Sequence, residues 1–473
     1  MGKYRKLIIN IGLLSISNFG SKILVFLLVP LYTSILSTYE YGSYDLVVTS
    51  INLLIPILTI NISSGVLRFA LERDINQNDV FNVGFRITLK GVLGLLAIII
   101  INSFINFIPA INEYYIFFIL MFLVNALYQL CSHYARGIDE VKIVAFAGIL
   151  QSILLVLFNV LFLIVFKLGI TGFFMANIIS LIISVLYFFI HLKLHKINIF
   201  ETVDKTIYTE MKSYSRPLVL NSISWWINNT SDRYIVSWMC GIAANGIYSI
   251  AYKIPTIMNT FQSVFLQAWQ ISAVQEFDSN DEDNFYINVY RIYNLINVAV
   301  CSLMIIFSKV IARIMFSKDF YDAWIYVPFL LVAYIFGAMS GFIGGVFSAV
   351  KNTKIYSYST IIGALINIAL NILLINYIGV LGAAVATVVS YFVIWCIRII
   401  NAKKYINLRI KLIRDLFSYF ILLLQAVVLL KFTSVSLYII ECTLLLLLFA
   451  IYKEEIKKLF KTVKNYKESL IKQ

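Results

Sequence analysis

Along the 473 residues, apolar runs of about 20 residues alternate with short polar breaks. A helix that rises 1.5 Å per residue needs roughly 20 residues to cross the ~30 Å hydrocarbon core of a bilayer. In those units the runs predict helices at about 8–33, 44–67, 85–108, 114–135, 143–166, 171–192 and 217–239. Seven more follow at about 246–270, 288–312, 324–349, 356–376, 381–402, 415–433 and 436–452. The pattern is that of an all-α, polytopic membrane protein with about fourteen transmembrane helices.

Composition agrees, since 61% hydrophobic and 13% charged residues leave too little charge to cover a soluble surface. The formal net charge of +14 is distributed by side. Alternate breaks hold Arg73, Arg86, Arg136, Lys142, Lys193, Lys196, Lys212, Arg291, Lys351, Lys354, Lys403 and Lys404, and the tail adds Lys453 to Lys472, whereas the other breaks show Lys167, Lys318 and Lys431. Cytoplasmic loops retain positive charge, so both termini are expected in the cytoplasm. The basic balance is then a topology signal, and no nucleic-acid partner is expected. The N-terminal Lys3, Arg5 and Lys6 precede an apolar run long enough to span and without a small-residue cleavage site, which predicts a retained first helix.

Little here resembles catalytic machinery. The five cysteines and His133, His191 and His195 have no metal-ligand spacing, no Gly-x-x-x-x-Gly-Lys-Ser/Thr loop occurs, and the longest break, about 193–216, is short and basic. No enzyme, metal or cofactor is expected.

The two halves echo each other. Tyr41-Gly42-Ser43-Tyr44 aligns with Asn245-Gly246-Ile247-Tyr248, "FRI" at Phe85 with "YRI" at Tyr290, and "GITGFFMANIIS" from Gly169 with "GVLGAAVATVVS" from Gly379. Three matches in one order predict two lobes of about six helices each, at 1–205 and 206–405, with two extra helices and a basic tail over 406–473. An even number of helices separates the copies, so equivalent helices run the same way, as in parallel repeats about an axis along the membrane normal.

Helical spacing gathers the polar residues into faces. On the second helix Asp45, Thr49, Asn52, Pro56, Thr59 and Ser63 recur at three and four, and the eighth carries Lys253, Thr256, Thr260, Ser263, Gln267 and Gln270 in the same rhythm. The first helix adds Ser15, Asn18 and Lys22, and the seventh adds Asn221, Trp225, Asn228 and Asp232 beside Arg233. Charge inside a bilayer is costly and marks cavities or partners. These faces predict one central cationic cavity, with Lys22, Arg233 and Lys253 contacting an anion and Asp45 nearer the outer mouth. Asp232 is expected to pair with a cation such as Lys253, or to serve as a proton or sodium site. Arg68 lies at the cytoplasmic end of the second helix, either to receive substrate or to reach lipid headgroups. Phosphate suits such a site, and Trp225, Trp226, Trp238 and Trp269 are candidates for stacking on sugars. Interhelical hydrogen bonding by Ser, Thr and Asn is the competing use of the same faces.

The stretches "SNFGSKILVFLLVPLYTSILSTYEYGSYDL" (Ser17 to Leu46) and "SDRYIVSWMCGIAANGIYSIAYKIP" (Ser231 to Pro255) resemble bacterial polysaccharide repeat-unit flippases of the multidrug/oligosaccharidyl-lipid/polysaccharide exporter superfamily. The resemblance implies a multi-pass protein of the bacterial cytoplasmic membrane that flips an undecaprenyl-diphosphate-linked oligosaccharide by alternating access. It implies as partners this lipid-linked substrate, the surrounding membrane lipids and the polymerase and chain-length machinery of polysaccharide assembly, the flippase itself acting as a monomer. Energy would come from a proton or sodium gradient or from the membrane potential. A peptidoglycan lipid precursor flippase and a cation-coupled drug exporter share the architecture; the first is expected to carry more arginines early in the chain, the second more acids.

Overall fold

The computed structural model describes residues 26–458, apart from 73, 198–202, 279, 283, 351, 408 and 433–434. The described residues form two compact units, one up to Ser249 and one from Ile250. The first holds α1 (Val29–Ile35), α2 (Thr38–Leu58), α3 (Ile62–Ala70), α4 (Gln77–Ile105), the short α5 (Pro109–Glu113), α6 (Tyr115–Gly137), α7 (Val141–Asn159), α8 (Gly169–His191) and α9 (Lys205–Cys240). Helix α10 (Ile242–Ala251) carries the chain across the division. The second unit holds α11 (Lys253–Gln275), α12 (Phe285–Met315), α13 (Val327–Ala349), α14 (Thr353–Ile378), α15 (Leu381–Ala402), α16 (Leu412–Lys431) and α17 (Val435–Ile451).

Among the described residues ten helices are long and apolar enough to cross a membrane, and the protein is an all-α, multi-pass membrane protein. The expected second span is two helices. Pro56 cannot donate to the helical ladder, Ile60 and Asn61 take left-handed backbone at φ 55° and 51°, and the chain restarts as α3. The freed groups are satisfied locally, Asn61 N–H donating to the Pro56 carbonyl at 2.8 Å. The expected eighth span is likewise split, between α10 and α11. The expected seventh is the end of a much longer helix, α9, whose 36 residues rise ~54 Å and which is not among the ten.

Local signals set the helix ends. Ser37 opens α2 with a capping box, its Oγ accepting from Glu40 N–H at 3.2 Å while Glu40 Oε2 accepts from Ser37 N–H at 2.7 Å. Asp204 opens α9 by accepting from Thr206 N–H at 2.8 Å. Asp281 accepts from the N–H groups of Tyr286 and Ile287 at 2.9 and 3.0 Å at the head of α12, where burial pushes its carboxyl above the usual range.

The sequence repeat has a structural counterpart within each unit. Gly169 and Gly379 both precede their helix at positive φ, 57° and 61°, which favours glycine. Three residues on, a Cβ on Gly172 would meet Leu168 and Phe162 at 2.9 and 3.0 Å, and one on Gly382 would collide with the Leu374 backbone. The compact division nevertheless falls one long helix after the repeat boundary near residue 205, because α9 packs on α2 and α3.

Candidate functional site

Helices α2, α9 and α10 meet around Gly42 and Gly246, the repeat-related glycines. A Cβ on Gly42 would fall on the Ile242 carbonyl and one on Gly246 would fall on the Thr38 carbonyl, so the two backbones touch. Tyr44 packs beside this crossing against Phe173, their rings 4.2 Å apart.

The close approach brings the charges of α2 and α9 together. Arg233 Nη1 pairs with Asp45 Oδ1 at 2.6 Å, with side chains only 17% and 11% exposed. Asn245 Nδ2 reaches the other Asp45 oxygen at 3.4 Å. Asp232 points elsewhere: its Oδ2 accepts from the Tyr248 hydroxyl at 2.8 Å and its Oδ1 from Arg233 N–H at 2.9 Å. The two helices are stitched further by Ser50 Oγ and Tyr234 Oη at 2.5 Å, by Trp226 Nε1 donating to the Thr49 carbonyl at 2.9 Å, and by Asn61 Nδ2 donating to Ser222 Oγ at 3.3 Å.

Of the residues expected in a cavity, Asp45, Asp232 and Arg233 thus share this buried cluster. Asp45, expected nearer the outer mouth, pairs directly with Arg233. Asn52 and Trp225 are exposed on α2 and α9, and Asn221 and Asn229 extend the Trp225 face at four-residue spacing. Arg68 is exposed at the end of α3 and pairs with Glu72 at 2.7 Å. Lys253 and Gln267 belong to α11 in the second unit, Lys253 partly buried and Gln267 exposed. Ser15, Asn18, Lys22, Arg73, Lys351 and the tail lysines from Lys461 lie outside the described residues. Of the tryptophans, Trp269 is fully buried, stacked on Phe342 at 4.1 Å and donating to its carbonyl at 2.8 Å, and therefore packs rather than binds sugar.

Two features of the first unit were not singled out by the polar spacing. At the polar end of α9, Tyr208, Lys212 and Arg216 follow one another at i+4 and line a cavity of about 320 Å³ with Thr209 and Ser213. Lys90 of α4 joins them, its Nζ 5.7 Å from the Tyr208 ring centre, with Lys212 Nζ at 5.9 Å. Near the opposite end, Leu46, Tyr234, Trp238, Ile242 and the turn from Ile105 to Pro109 enclose an apolar cavity of about 700 Å³. The i+4 cations were legible in sequence but looked like topology charge; the apolar cavity needs the turn after α4, which no periodicity places.

Residues 7–270, more than half of the chain, match the family model described as polysaccharide biosynthesis protein. The chain belongs to the polysaccharide biosynthesis protein family. The MatE family model matches residues 217–373 of this family member. Its fold is that of the MOP superfamily. The lipid II flippase MurJ in an inward closed conformation superposes with a TM-score of 0.71 at 18% identity, covering 94% of this chain and 99% of that one. An inward-facing multidrug resistance MATE family transporter of the MOP superfamily gives 0.67 at 14% identity, covering 90% and 100%. A MOP superfamily transporter from Pyrococcus furiosus, described by a binding pocket of reverse polarity, gives 0.58 at 15% identity, covering 84% and 95%. No curated protein sequence matches the chain.

Proposed function

We propose that this protein flips an undecaprenyl-diphosphate-linked oligosaccharide repeat unit from the cytoplasmic to the outer leaflet of the bacterial inner membrane. The observation that carries the reading is the basic cavity of Lys212 and Arg216, with Lys90 against the Tyr208 ring that lines it, set within the residues that match the polysaccharide biosynthesis family. A diphosphate is bound well by paired guanidinium and ammonium groups flanked by an aromatic ring. Both termini lie in the cytoplasm in this reading, which puts the polar end of α9 on the side where the lipid-linked sugar is made. The headgroup then leaves this end and crosses past the exposed Asn52, Asn221, Trp225 and Asn229, while the lipid chain stays in the bilayer. Arg233 meets the diphosphate by exchanging its Asp45 partner for phosphate oxygens. The protein acts as a monomer by alternating access and hands its product to the polymerase machinery. Lys22 and Lys253 are the further cations to replace.

The test is restoration of surface polysaccharide in a strain lacking its repeat-unit flippase, with insertion checked by immunoblot. Wild-type chain restores the polymer, whereas K212A/R216A and R233A restore little and leave lipid-linked repeat units in the inner leaflet. Full restoration by all these variants sinks the cationic route. A second reading, transport of a peptidoglycan lipid precursor, is favoured by the likeness to the lipid II flippase fold. Rescue of cells depleted of their lipid II flippase, without rescue of surface polysaccharide, would decide for it.

A further inference from the structure

Glu441 sits on α17 inside an apolar helix and is fully buried. Neither of its carboxylate oxygens has a hydrogen-bond partner. Next to it on α16, Gln425 is also fully buried; its amide nitrogen leans on the Glu441 carbonyl at 3.4 Å and its Oε1 likewise has no partner. The site therefore gathers three unpaired acceptor oxygens around a single nearby donor, the Gln425 amide. Among the charged groups of α12 and α16, the helices packed on α17, Lys309 of α12 alone is close enough to Glu441 to act on it electrostatically. Its ammonium is engaged elsewhere, donating to the Phe432 carbonyl at 3.3 Å and lying 4.3 Å from the Trp324 ring centre. Arg291 of α12 donates to the Arg409 carbonyl at 3.1 Å, and Arg414 and Asp415 of α16 pair with each other and, through Arg414, with Glu455 just beyond α17.

A bare carboxylate in this position would carry a desolvation cost of several kcal/mol, which Lys309, engaged elsewhere, and the Gln425 amide offset only in part. One proton removes the charge and supplies a donor beside the open Gln425 oxygen. A hard metal cation needs about six oxygen ligands, and the three oxygens here fall short.

We propose that Glu441, with Gln425 beside it, is a proton-binding site of the C-terminal helix pair, occupied whenever α17 lies packed on α12 and α16. Binding forms one O–H bond on the carboxylate and breaks none. Loss of the proton leaves a charge that needs water for full stabilisation, and α17 must loosen to admit it. Where the transport reading above holds, this is a point at which a proton gradient acts on the transporter; the site itself stands without that reading.

The test uses the full-length protein in nanodiscs. Dicyclohexylcarbodiimide reacts with protonated carboxyl groups in apolar surroundings, and peptide mass spectrometry locates the adduct. The expected adduct is on Glu441 at neutral pH, fades as pH rises, and is unaffected by sodium at constant pH. Infrared spectra should show a protonated-carboxyl C=O band that is lost in E441Q. The proposal is overturned if that band is unchanged in E441Q, if the adduct forms on Asp415 or Glu455 and not on Glu441, or if sodium suppresses labelling, which would make the ligand a metal cation. Labelling needs no substrate, so it separates this site from the transport reading: an adduct on Glu441 in a protein that fails every flipping assay refutes only the latter.

Discussion

Arg233 in the unit ending at Ser249 and Arg398 in the unit from Ile250 are both guanidiniums inside helices of a membrane protein, and they are held by different chemistry. Arg233 faces a carboxylate, Asp45, at 2.6 Å, and both side chains keep some exposure. Arg398 on α15 is 4% exposed, and its partners among the described residues are all uncharged: Ser359 Oγ at 2.9 Å, the Ser340 carbonyl at 3.0 Å, Thr360 Oγ1 at 2.9 Å and the Tyr356 ring, whose centre lies 4.0 Å away. A guanidinium with its donors filled by fixed neutral oxygens ties α13, α14 and α15 into one body and has no counterion to release. One paired with an acid, near exposed polar residues, keeps a charged partner, and the proposed exchange for phosphate rests on that difference.

The comparison breaks most visibly at the glycine crossing that brings Asp45 to Arg233. Gly42→Val or Gly246→Val forces a side chain into a carbonyl, an overpacking beyond the usual 1–3 kcal/mol range that helices in direct backbone contact cannot relax, so each should abolish monodisperse protein in detergent gel filtration. Next come Asp45→Leu and Arg233→Met. Each leaves one half-buried charge behind and should cost about 3 kcal/mol in thermal unfolding, while the double variant regains most of it. Arg398→Met orphans hydroxyls and a carbonyl rather than a charge, and its expected loss is smaller, about 1–3 kcal/mol by the same measurement. If it proves as costly as Arg233→Met, neutral partners were not the milder arrangement. Smallest of all, Lys411→Ala removes an exposed ion pair with Glu454 at 3.0 Å and should leave the unfolding temperature unchanged.

Much of this was legible in the chain. The apolar runs gave the helices because backbone polar groups in lipid must be satisfied within a segment. The Gly-x-x-Gly copies at Gly169 and Gly379 were readable, and they do equivalent work in space, a left-handed entry followed by a tight contact. Helical spacing did bring Asp45, Asp232 and Arg233 forward. What it could not supply was the partner of each: Asp45 and Arg233 are 188 residues apart, and only the α2–α9 crossing selects that pair. Glu441 was visible as an acid in an apolar run, yet spacing cannot say whether such a residue faces lipid, water or another helix. Trp269 failed as a sugar platform because a tryptophan reads the same in a core as in a cleft.

The crossing at Gly42 and Gly246 is reciprocal in its geometry. Each glycine receives a carbonyl from the residue four positions before the other, Ile242 for Gly42 and Thr38 for Gly246. Such reciprocity is the signature of an isologous contact, the kind that two identical subunits make across a two-fold axis.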